Sequence, residues 1–204
     1  MSLWFSVVVL VAGSFLSSSA LSVEECKRII TPLSTFKPMY GRWNFIMGYT
    51  DNEIFDAMLR STQSNWVMFS KLPMSPNQFV EDVGVKLPGY CKYASAVVTI
   101  VGNSAISQKS NFTCTFHSLP TCKDCLLYSV NSVNNNNLYY MMNISNPTTK
   151  DELRGYRALY LMARKTTIGE SDMDHFKEQA RCLGFTGAPD FHYDPKHEFC
   201  TMDR

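Results

Sequence analysis

The 204-residue chain lacks a strong charge of either sign, because 19 Lys and Arg are balanced by 18 Asp and Glu, for a formal net charge of +1. It also lacks any run of basic residues. Both absences argue against a nucleic-acid partner and against electrostatic docking to an anionic membrane, since each of these interactions needs clustered positive charge.

The common catalytic patterns are absent as well. The chain has no Ser-His-Asp order, no paired carboxylates and no glycine-rich nucleotide loop. Each of these patterns is a usual starting point for a hydrolytic or nucleotide-dependent site. We therefore expect a binding protein that is not an enzyme and that uses no cofactor.

Long apolar runs are missing after the N-terminus. Residues 1–20 carry no charged side chain and end in Ser18-Ser19-Ala20, small residues that suit signal-peptidase cleavage. The usual Lys or Arg near the start is missing, and an uncleaved anchor is the alternative. This run is short for a membrane span and no later run is long enough to cross a bilayer. We predict a signal peptide over 1–20, a single secreted domain over 21–204 and no membrane insertion.

Cysteine, in contrast, is plentiful. An extracellular chain is expected to form disulfides, and an odd number of cysteines leaves one thiol unpaired. The seven are Cys26, Cys91, Cys114, Cys122, Cys125, Cys182 and Cys200. Two sequons, at Asn111 and Asn143, fit the same compartment and predict surface glycosylation.

Three of these cysteines lie near a histidine, in the order Cys114, His117, Cys122 and Cys125. Three thiols and an imidazole could hold Zn²⁺ or another soft ion. An oxidising compartment instead favours a disulfide between two of the three cysteines. We predict the disulfide and no metal, which leaves the third cysteine as a thiol or as a candidate for a bond to a partner molecule.

Short alternating segments separated by turn residues dominate the rest of the chain. They predict an all-β sandwich or barrel, with a hairpin tip at the four asparagines 134–137 and an irregular lead-in over 26–40. The predicted strands are 40–49, 63–71, 78–87, 90–101, 105–117, 126–133, 138–144 and 156–164. Residues 170–183 then carry apolar residues at helical spacing, with Ser171 as the expected cap and Gly184 after the end.

The first strand begins with Gly41-x-Trp43, and Trp43, Phe45, Met47 and Tyr49 alternate along it. These features, eight strands, one late helix and Arg164 at the end of the last strand resemble the lipocalin family. The resemblance implies an eight-stranded antiparallel up-and-down barrel with one C-terminal α-helix packed on its outside. It also implies that Arg164 covers Trp43 at the closed end, through a cation–π contact and hydrogen bonds to nearby carbonyls.

Within the lipocalins, the cysteine positions resemble the alpha-1-acid glycoprotein and apolipoprotein M branch. That resemblance implies the pairs Cys26–Cys182 and Cys91–Cys200. The phrases GRWNFIMGYTDNEIF, STQSNWVMF and FKEQARCLGF resemble fish members that bind toxins or organotin compounds. The ligand implied is a toxin such as tetrodotoxin or saxitoxin, or a xenobiotic such as tributyltin.

An eight-stranded barrel is wide enough to hold one small ligand, and its inward side chains follow a period of two. On the second strand, the resemblance to alpha-1-acid glycoprotein favours Val67 and Phe69 as the inward residues, and Trp66 and Met68 are an equally apolar alternative. The alternative for all of the inward-facing residues is that they pack in a core that leaves no cavity. The predicted ligand-binding residues are Phe45, Met47, Tyr49, Val67, Phe69, Ile106, Gln108, Tyr140, Met142, Tyr160 and Met162.

This lining is apolar and aromatic with a few polar groups, which suits a hydrophobic or amphiphilic molecule. Gln108 replaces a basic residue of alpha-1-acid glycoprotein, which disfavours a strongly acidic ligand. The main hypothesis is a secreted plasma carrier. The alternatives are an immunomodulatory glycoprotein, a lipid carrier and, least favoured, a thiol-dependent enzyme, because the cysteines of the 114–125 cluster are expected near the open end of the barrel.

Overall fold

Strands dominate the computed structural model, which describes residues 21–37, 39–109, 112–133 and 155–202. The described helices are α1 (Val23–Ile30), α2 (Glu53–Ser61) and α3 (Glu170–Cys182). The described strands are β1 (Gly41–Thr50), β2 (Ser64–Lys71), β3 (Gln78–Leu87), β4 (Tyr90–Val101), β5 (Ser104–Lys109), β6 (Phe112–Ser118), β7 (Cys125–Val133), β8 (Arg157–Ala163) and β9 (Phe191–His192). The predicted signal peptide, Asn111 of the first sequon, the whole sequon at Asn143, Tyr140 and Met142 lie outside the described residues.

The sheet closes on itself. Its strands follow the order β2-β3-β4-β5-β6-β7-β8-β1, with every neighbouring pair antiparallel, and β1 also pairs with β2. The closing register places Trp43 opposite Val67 on β2 and Phe45 opposite Met162 on β8. The short strand β9 adds to β1 beside Met47 and Gly48. The predicted fold class, an antiparallel up-and-down barrel of eight strands with a helix outside, is confirmed.

The strands differ from the prediction in how the middle of the chain is divided. Residues 105–117 were expected to form one strand, but they belong to two, β5 and β6, which pair with each other as a hairpin. This hairpin supplies two of the eight barrel strands, where one was predicted. The strand predicted over 138–144 lies outside the described residues.

The C-terminal helix α3 is confirmed, although its predicted cap is wrong. Gly169 is the N-cap and makes no side-chain capping bond, and Ser171 lies inside the first turn. Helix α1 was not predicted from the sequence, and its N-cap Ser22 forms a capping box with Glu25. The N-cap of α2 is Asn52, whose Oδ1 accepts the amide hydrogens of Ile54 and Phe55.

A β-bulge in β1 decides which side chains enter the barrel. Phe45 pairs with Met162 and Met47 pairs with the adjacent Leu161, so Ile46 is an additional residue with no partner in the ladder. The extra residue reverses the alternation of faces along the rest of the strand. After the bulge, Gly48 faces the interior, where an added Cβ would lie 3.2 Å from the ring of Tyr160.

The wall of the barrel therefore has apolar side chains on both faces. One cluster fills part of the interior and includes Trp43, Phe45 and Phe79. A second cluster lies between the outer wall and α3, where Phe176 is 1% exposed. Fully burying a side chain of this size contributes roughly 2–3 kcal/mol, so apolar burial helps to hold α3 against the wall.

Three disulfides fasten the described chain. Cys26–Cys182 joins α1 to α3, and Cys91–Cys200 joins β4 to the C-terminal segment. Both pairs are those that the resemblance implied. Cys122–Cys125 closes the turn before β7, and Cys114 is the only cysteine of the seven without a bond.

Candidate ligand-binding site

The barrel holds a cavity of about 610 Å³ in the half that lies beneath α2. Strands β3, β4, β6 and β8 supply much of its wall, and α2 covers its rim. Its apolar and aromatic lining includes Phe55, Met58, Val83, Phe116, Tyr156 and Tyr160. Phe55 stacks on Tyr156 with 4.0 Å between ring centroids, which connects the rim helix to the strand wall. The volume falls in the range of small-molecule sites in proteins.

Below the cavity, aromatic rings fill the barrel. Tyr128 stacks on Phe36 with centroids 5.6 Å apart, and Phe69 meets Phe79 edge to face at 5.3 Å. Among these rings remains a void of about 10 Å³, room for about one water-sized group. The open half of the barrel can therefore receive a ligand, while the lower half is close to solid.

The closed end has the geometry that the resemblance implied for Arg164. Its guanidinium carbon lies 3.6 Å from the centroid of the Trp43 ring, and its terminal nitrogens donate to the carbonyls of Tyr40 and Arg42, each at 2.6 Å. Gly41 permits this approach, because its φ is +97° and an added Cβ would lie 3.0 Å from the guanidinium. A planar cation of this kind can stack and bond at the same time.

The residues predicted on β2 and β8, together with Phe45, lie inside the barrel. Val67, Phe69, Met162 and Phe45 are buried in the interior cluster, where Phe69 borders the small void. Tyr160 is the predicted residue that lines the 610 Å³ cavity. The structure thus places one of the predicted residues in the cavity wall and four in the interior cluster.

Two predicted residues on β1 lie outside the barrel. Met47 and Tyr49 were expected to face the cavity, but both are buried between the wall and α3. The ring of Tyr49 lies 5.6 Å from that of Phe176, centroid to centroid. The bulge at Ile46 is the physical reason. The prediction assumed that side chains alternate regularly along the strand, and the extra residue reverses the face of every side chain after it.

The inward face of β5 was also assigned wrongly. Ala105 is buried in the interior cluster and Ser107 lines the cavity, so Ile106 and Gln108 lie on the outer face and Gln108 is exposed. The pairing of β5 with β4 explains which side chains of β5 face inward, because Ser107 lies opposite the interior residue Val98. Small side chains face inward here and the bulkier Ile106 faces outward, which the apolar pattern alone does not indicate.

Cys114 lies inside the barrel, with its Sγ 3.8 Å from the Oη of Tyr156. It is 3% exposed, so the predicted candidate bond to a partner molecule is wrong. Burial raises the pKa of this thiol to about 12, against the opposing effect of the Tyr156 hydrogen bond. A thiol that stays protonated at neutral pH is a weak nucleophile.

The turn of Cys122 and Cys125 is at the closed end and not, as expected, near the open end. The carbonyl of Asp124 accepts the amide hydrogen of Arg164 at 3.1 Å. Among the described ranges, no group of three or more His, Cys, Asp or Glu side chains is arranged to hold a metal ion.

Glu81 is a site residue that was not predicted from the sequence. It borders both the cavity and the small void, and the barrel encloses its carboxyl group, although the cavity leaves part of the residue accessible. Burial, followed by the nearby charge of Asp82, raises its pKa to about 7. The signal was present in β3, where Phe79, Glu81, Val83 and Val85 share one face and the single acid interrupts an apolar series.

Tyr128 adds a second polar group at the same level. Its residue is 3% exposed and its Oη has no hydrogen-bond partner within the described part of the chain. Burial and the charge of Glu81 both raise its pKa, so the hydroxyl stays protonated. An unpaired buried hydroxyl costs roughly 1–3 kcal/mol, which makes this position unusual in a packed aromatic floor.

Solved structures show a clear likeness of fold. The siderocalin Ex-FABP matches with a TM-score of 0.58 and 15% identity, covering 81% of this chain and 95% of that one. Siderocalin Q83 matches with a TM-score of 0.59 and 16% identity, covering 80% and 93%. Lipocalin 12 from rat epididymis matches with a TM-score of 0.58 and 11% identity, covering 80% and 88%. The chain therefore has the lipocalin fold.

No protein-family model matches the sequence, and no curated protein matches it. In the ranges that the structure describes, none of the helices combines the length and the apolar character needed to cross a membrane.

Proposed function

We propose that the protein is a secreted carrier that binds a small hydrophobic or amphiphilic molecule inside the barrel. The observation that supports this most is the 610 Å³ cavity, open beneath α2 and bounded below by packed aromatic rings. Pockets of this size with mainly apolar walls and a few polar groups are typical of small-molecule sites. The buried, protonated Cys114 supports binding over thiol catalysis.

Extracellular location is part of the proposal. It is supported by three disulfides, which persist in oxidising compartments, and by the signal-peptide pattern of residues 1–20. Glycosylation at Asn111 and Asn143 belongs to the same proposal.

The specific ligand follows from the sequence resemblance. The alpha-1-acid glycoprotein and apolipoprotein M branch, and the fish saxitoxin and tetrodotoxin binding proteins and tributyltin-binding proteins within it, make those toxins and organotin compounds the first candidates. Two structures with the same fold are described by their binding: siderocalin Ex-FABP functions through dual ligand specificities and siderocalin Q83 has a dual ligand binding mode.

A lipid carrier is the second candidate, and Lys92 is the observation that favours it. This residue lines the cavity, with its Nζ 6.0 Å from the centroid of the Tyr90 ring. An ammonium group there suits the carboxylate of a fatty acid whose tail enters the barrel.

The test is to fill the cavity from within. Val83→Trp places a large ring in the space that the ligand would occupy, while Val97→Trp adds the same ring at a position that is 48% exposed on the outside. We expect Val83→Trp to weaken binding of the neutral reporter N-phenyl-1-naphthylamine by about tenfold or more, because a blocked site loses most ligand contact. Val97→Trp should bind like the wild type.

The reporter's own emission is measured, since the added tryptophan changes protein fluorescence. Competition with tetrodotoxin, tributyltin and a fatty acid then ranks the candidates. Equal reporter affinity in the two variants, or no saturable binding by the wild type, would contradict the carrier function.

A further inference from the structure

We propose that the closed end of the barrel carries a second, independent ligand site, for a carboxylic acid with an apolar chain. Its pocket has a volume of about 520 Å³ and lies between residues 33–39 and the β6–β7 turn. In this site Lys37 binds the carboxylate at the rim, and Ser118 bonds to a second oxygen carried along the chain. The pocket shares no lining residue with the cavity beneath α2, so the site goes beyond the proposed carrier function.

Residues 33–39 form one wall, which two hydrogen bonds fix across the closed end. The amide of Leu33 donates to the carbonyl of Ser118 at 2.9 Å. The Nε1 of Trp43 donates to the carbonyl of Met39 at 2.6 Å. A ligand therefore meets this wall already in place and does not bear the entropic cost of ordering it.

A layer of aromatic rings separates the two sites. Phe36 is 5% exposed and stacks on Tyr128 and Phe79 inside the barrel, with centroids 5.6 and 6.1 Å apart. The void that remains among these rings is about 10 Å³, which is too small for a ligand to pass. Both sites can therefore be occupied at the same time.

The β6–β7 turn forms the opposite wall. The Cys122–Cys125 disulfide closes this turn, and the carbonyl of Asp124 accepts the amide hydrogen of Arg164 at 3.1 Å. Apolar side chains cover much of the pocket: Leu33, Met39, Leu119, Pro120, Leu126 and Leu127. These walls suit a hydrocarbon chain, because each methylene group that leaves water favours binding.

The charges at this end favour an anion. Of the described residues that line the pocket, Lys37 alone is charged, and it is exposed. Lys123 in the turn and Lys165 after Arg164 add positive charge, while the nearby acid, Asp124, interacts with the guanidinium of Arg164. A lysine can lay its stem on apolar surface and keep its ammonium group in water, where it meets a carboxylate.

Ser118 supplies a polar group inside the pocket. The residue is 6% exposed, and its Oγ has no hydrogen-bond partner in the described part of the chain. A buried hydroxyl without a partner is uncommon and destabilising. Because Ser118 lines the pocket, an oxygen of the ligand can pair with it. The hydroxyl group therefore favours an acid with a second oxygen over a plain hydrocarbon acid.

Calorimetric titration of the mature protein locates the site once the barrel cavity is blocked by Val83→Trp. In this background we expect decanoic acid to bind at one site per chain and more tightly than decanol. Adding Thr35→Trp should remove this binding, because Thr35 lines the pocket. Thr166→Trp is the matched control, an exposed threonine that does not line the pocket, and should leave binding unchanged.

In the same background, Lys37→Gln should weaken binding of decanoic acid about threefold to fivefold, the usual contribution of an exposed ion pair, and should leave decanol unchanged. Lys123→Gln removes a neighbouring charge that does not line the pocket and should have a smaller effect. We expect 10-hydroxydecanoic acid to bind about fivefold more tightly than decanoic acid, and Ser118→Ala to remove that difference.

The wild type gives a check that does not depend on the folding of Val83→Trp, since Thr35→Trp alone should remove one decanoic acid site per chain. Binding that survives Thr35→Trp, or no saturable binding of decanoic acid, would overturn the second site. Equal binding of decanoic acid and decanol would contradict the carboxylate preference, and equal binding of the two acids would contradict the role of Ser118. Each of these results leaves the carrier function to the reporter titration, which probes the barrel cavity.

The converse result separates the two proposals as well. If the wild type fails to bind the reporter while Val83→Trp still binds decanoic acid, the carrier function is contradicted and the closed-end site is supported.

Discussion

A carboxyl group held inside an aromatic barrel affects the stability of the fold. In an unfolded chain Glu81 has its ordinary pKa of 4.5, whereas burial in the folded barrel raises the pKa to about 7. Between these values the folded state retains a proton that the unfolded state has lost, so stability falls as the pH rises. The loss of folding stability caused by Glu81 is absent below its unfolded-state pKa of 4.5 and complete above its folded-state pKa of about 7.

Glu81→Gln should therefore stabilise the ligand-free protein at about pH 8, by roughly 1–3 kcal/mol in the free energy of unfolding, because the amide needs no proton. Near pH 4 the variant and the wild type should be nearly equal. Urea unfolding at both pH values measures this difference. A variant that is less stable than the wild type at the higher pH would contradict an unpaired Glu81.

Arg164 is the residue that closes the barrel, since its guanidinium stacks on Trp43 and donates to two carbonyls. Arg164→Lys keeps the charge but loses the flat face and one of the two bonds, and we expect it to lower the free energy of unfolding by about 1–3 kcal/mol. The exposed Arg28→Lys is the control and should change little. Equal unfolding midpoints for the two variants would show that the stack adds no stability.

Among the elements, α3 depends on the part of β1 that follows the bulge. Ile46, Met47 and Tyr49 form the surface on which Phe176 and Ala180 pack. A regular strand would direct two of these three side chains, Met47 and Tyr49, into the barrel, where they would occupy ligand space. The bulge at Ile46 thus gives the wall two apolar faces, one for the cavity side and one for the helix.

Phe176→Ala should lower the free energy of unfolding by about 3–5 kcal/mol, because the ring is fully buried and its loss leaves a cavity between helix and wall. The half-buried Lys177→Ala, which removes only a surface ion pair with Asp174, should lower the free energy of unfolding by less than about 1 kcal/mol. Because Phe176 lies outside the barrel, reporter affinity at a temperature where the variant is folded should match the wild type. A large loss of affinity would instead couple α3 to the cavity.

Period-two counting predicted the faces of some strands and failed on others for identifiable reasons. The resemblance to alpha-1-acid glycoprotein chose Val67 and Phe69 as the inward face of β2, which lies inside the barrel. Period-two counting placed Tyr160 and Met162 on β8 inside the barrel, where regular pairing preserves alternation. Period-two counting failed after the bulge in β1, because no residue type in the sequence indicates a bulge there. It also failed on β5, where neighbouring-strand pairing set the inward face.

At the scale of the whole molecule, the fold was predictable and the depth of the cavity was not. Turn spacing predicted an all-β sandwich or barrel, and the lipocalin resemblance carried by Gly41-x-Trp43, Arg164 and the late helix implied a closed barrel before any contact was known. Where the barrel is hollow depends on how Phe36, Phe79 and Tyr128 stack, a three-dimensional outcome absent from local patterns. The chemistry of Glu81 was visible as one acid in an apolar series.

The disulfides join distant parts of the chain, and a count of free thiols tests the pattern of three disulfides and one free cysteine. Cys26–Cys182 and Cys91–Cys200 span 156 and 109 residues, so each can contribute about 4–5 kcal/mol in the chain-entropy model, with less expected in practice. The native protein should react slowly with a thiol reagent, because Cys114 is 3% exposed and protonated.

In denaturant without reductant we expect one reactive thiol per chain, and none in Cys114→Ser. That variant should fold, since serine is close to cysteine in size and can keep the hydrogen bond to Tyr156. Three thiols in the denatured wild type would mean that Cys122 and Cys125 are reduced, which would remove the covalent link from the turn that supports Arg164. Rapid reaction of the native protein would instead place Cys114 within reach of solvent through the ligand cavity.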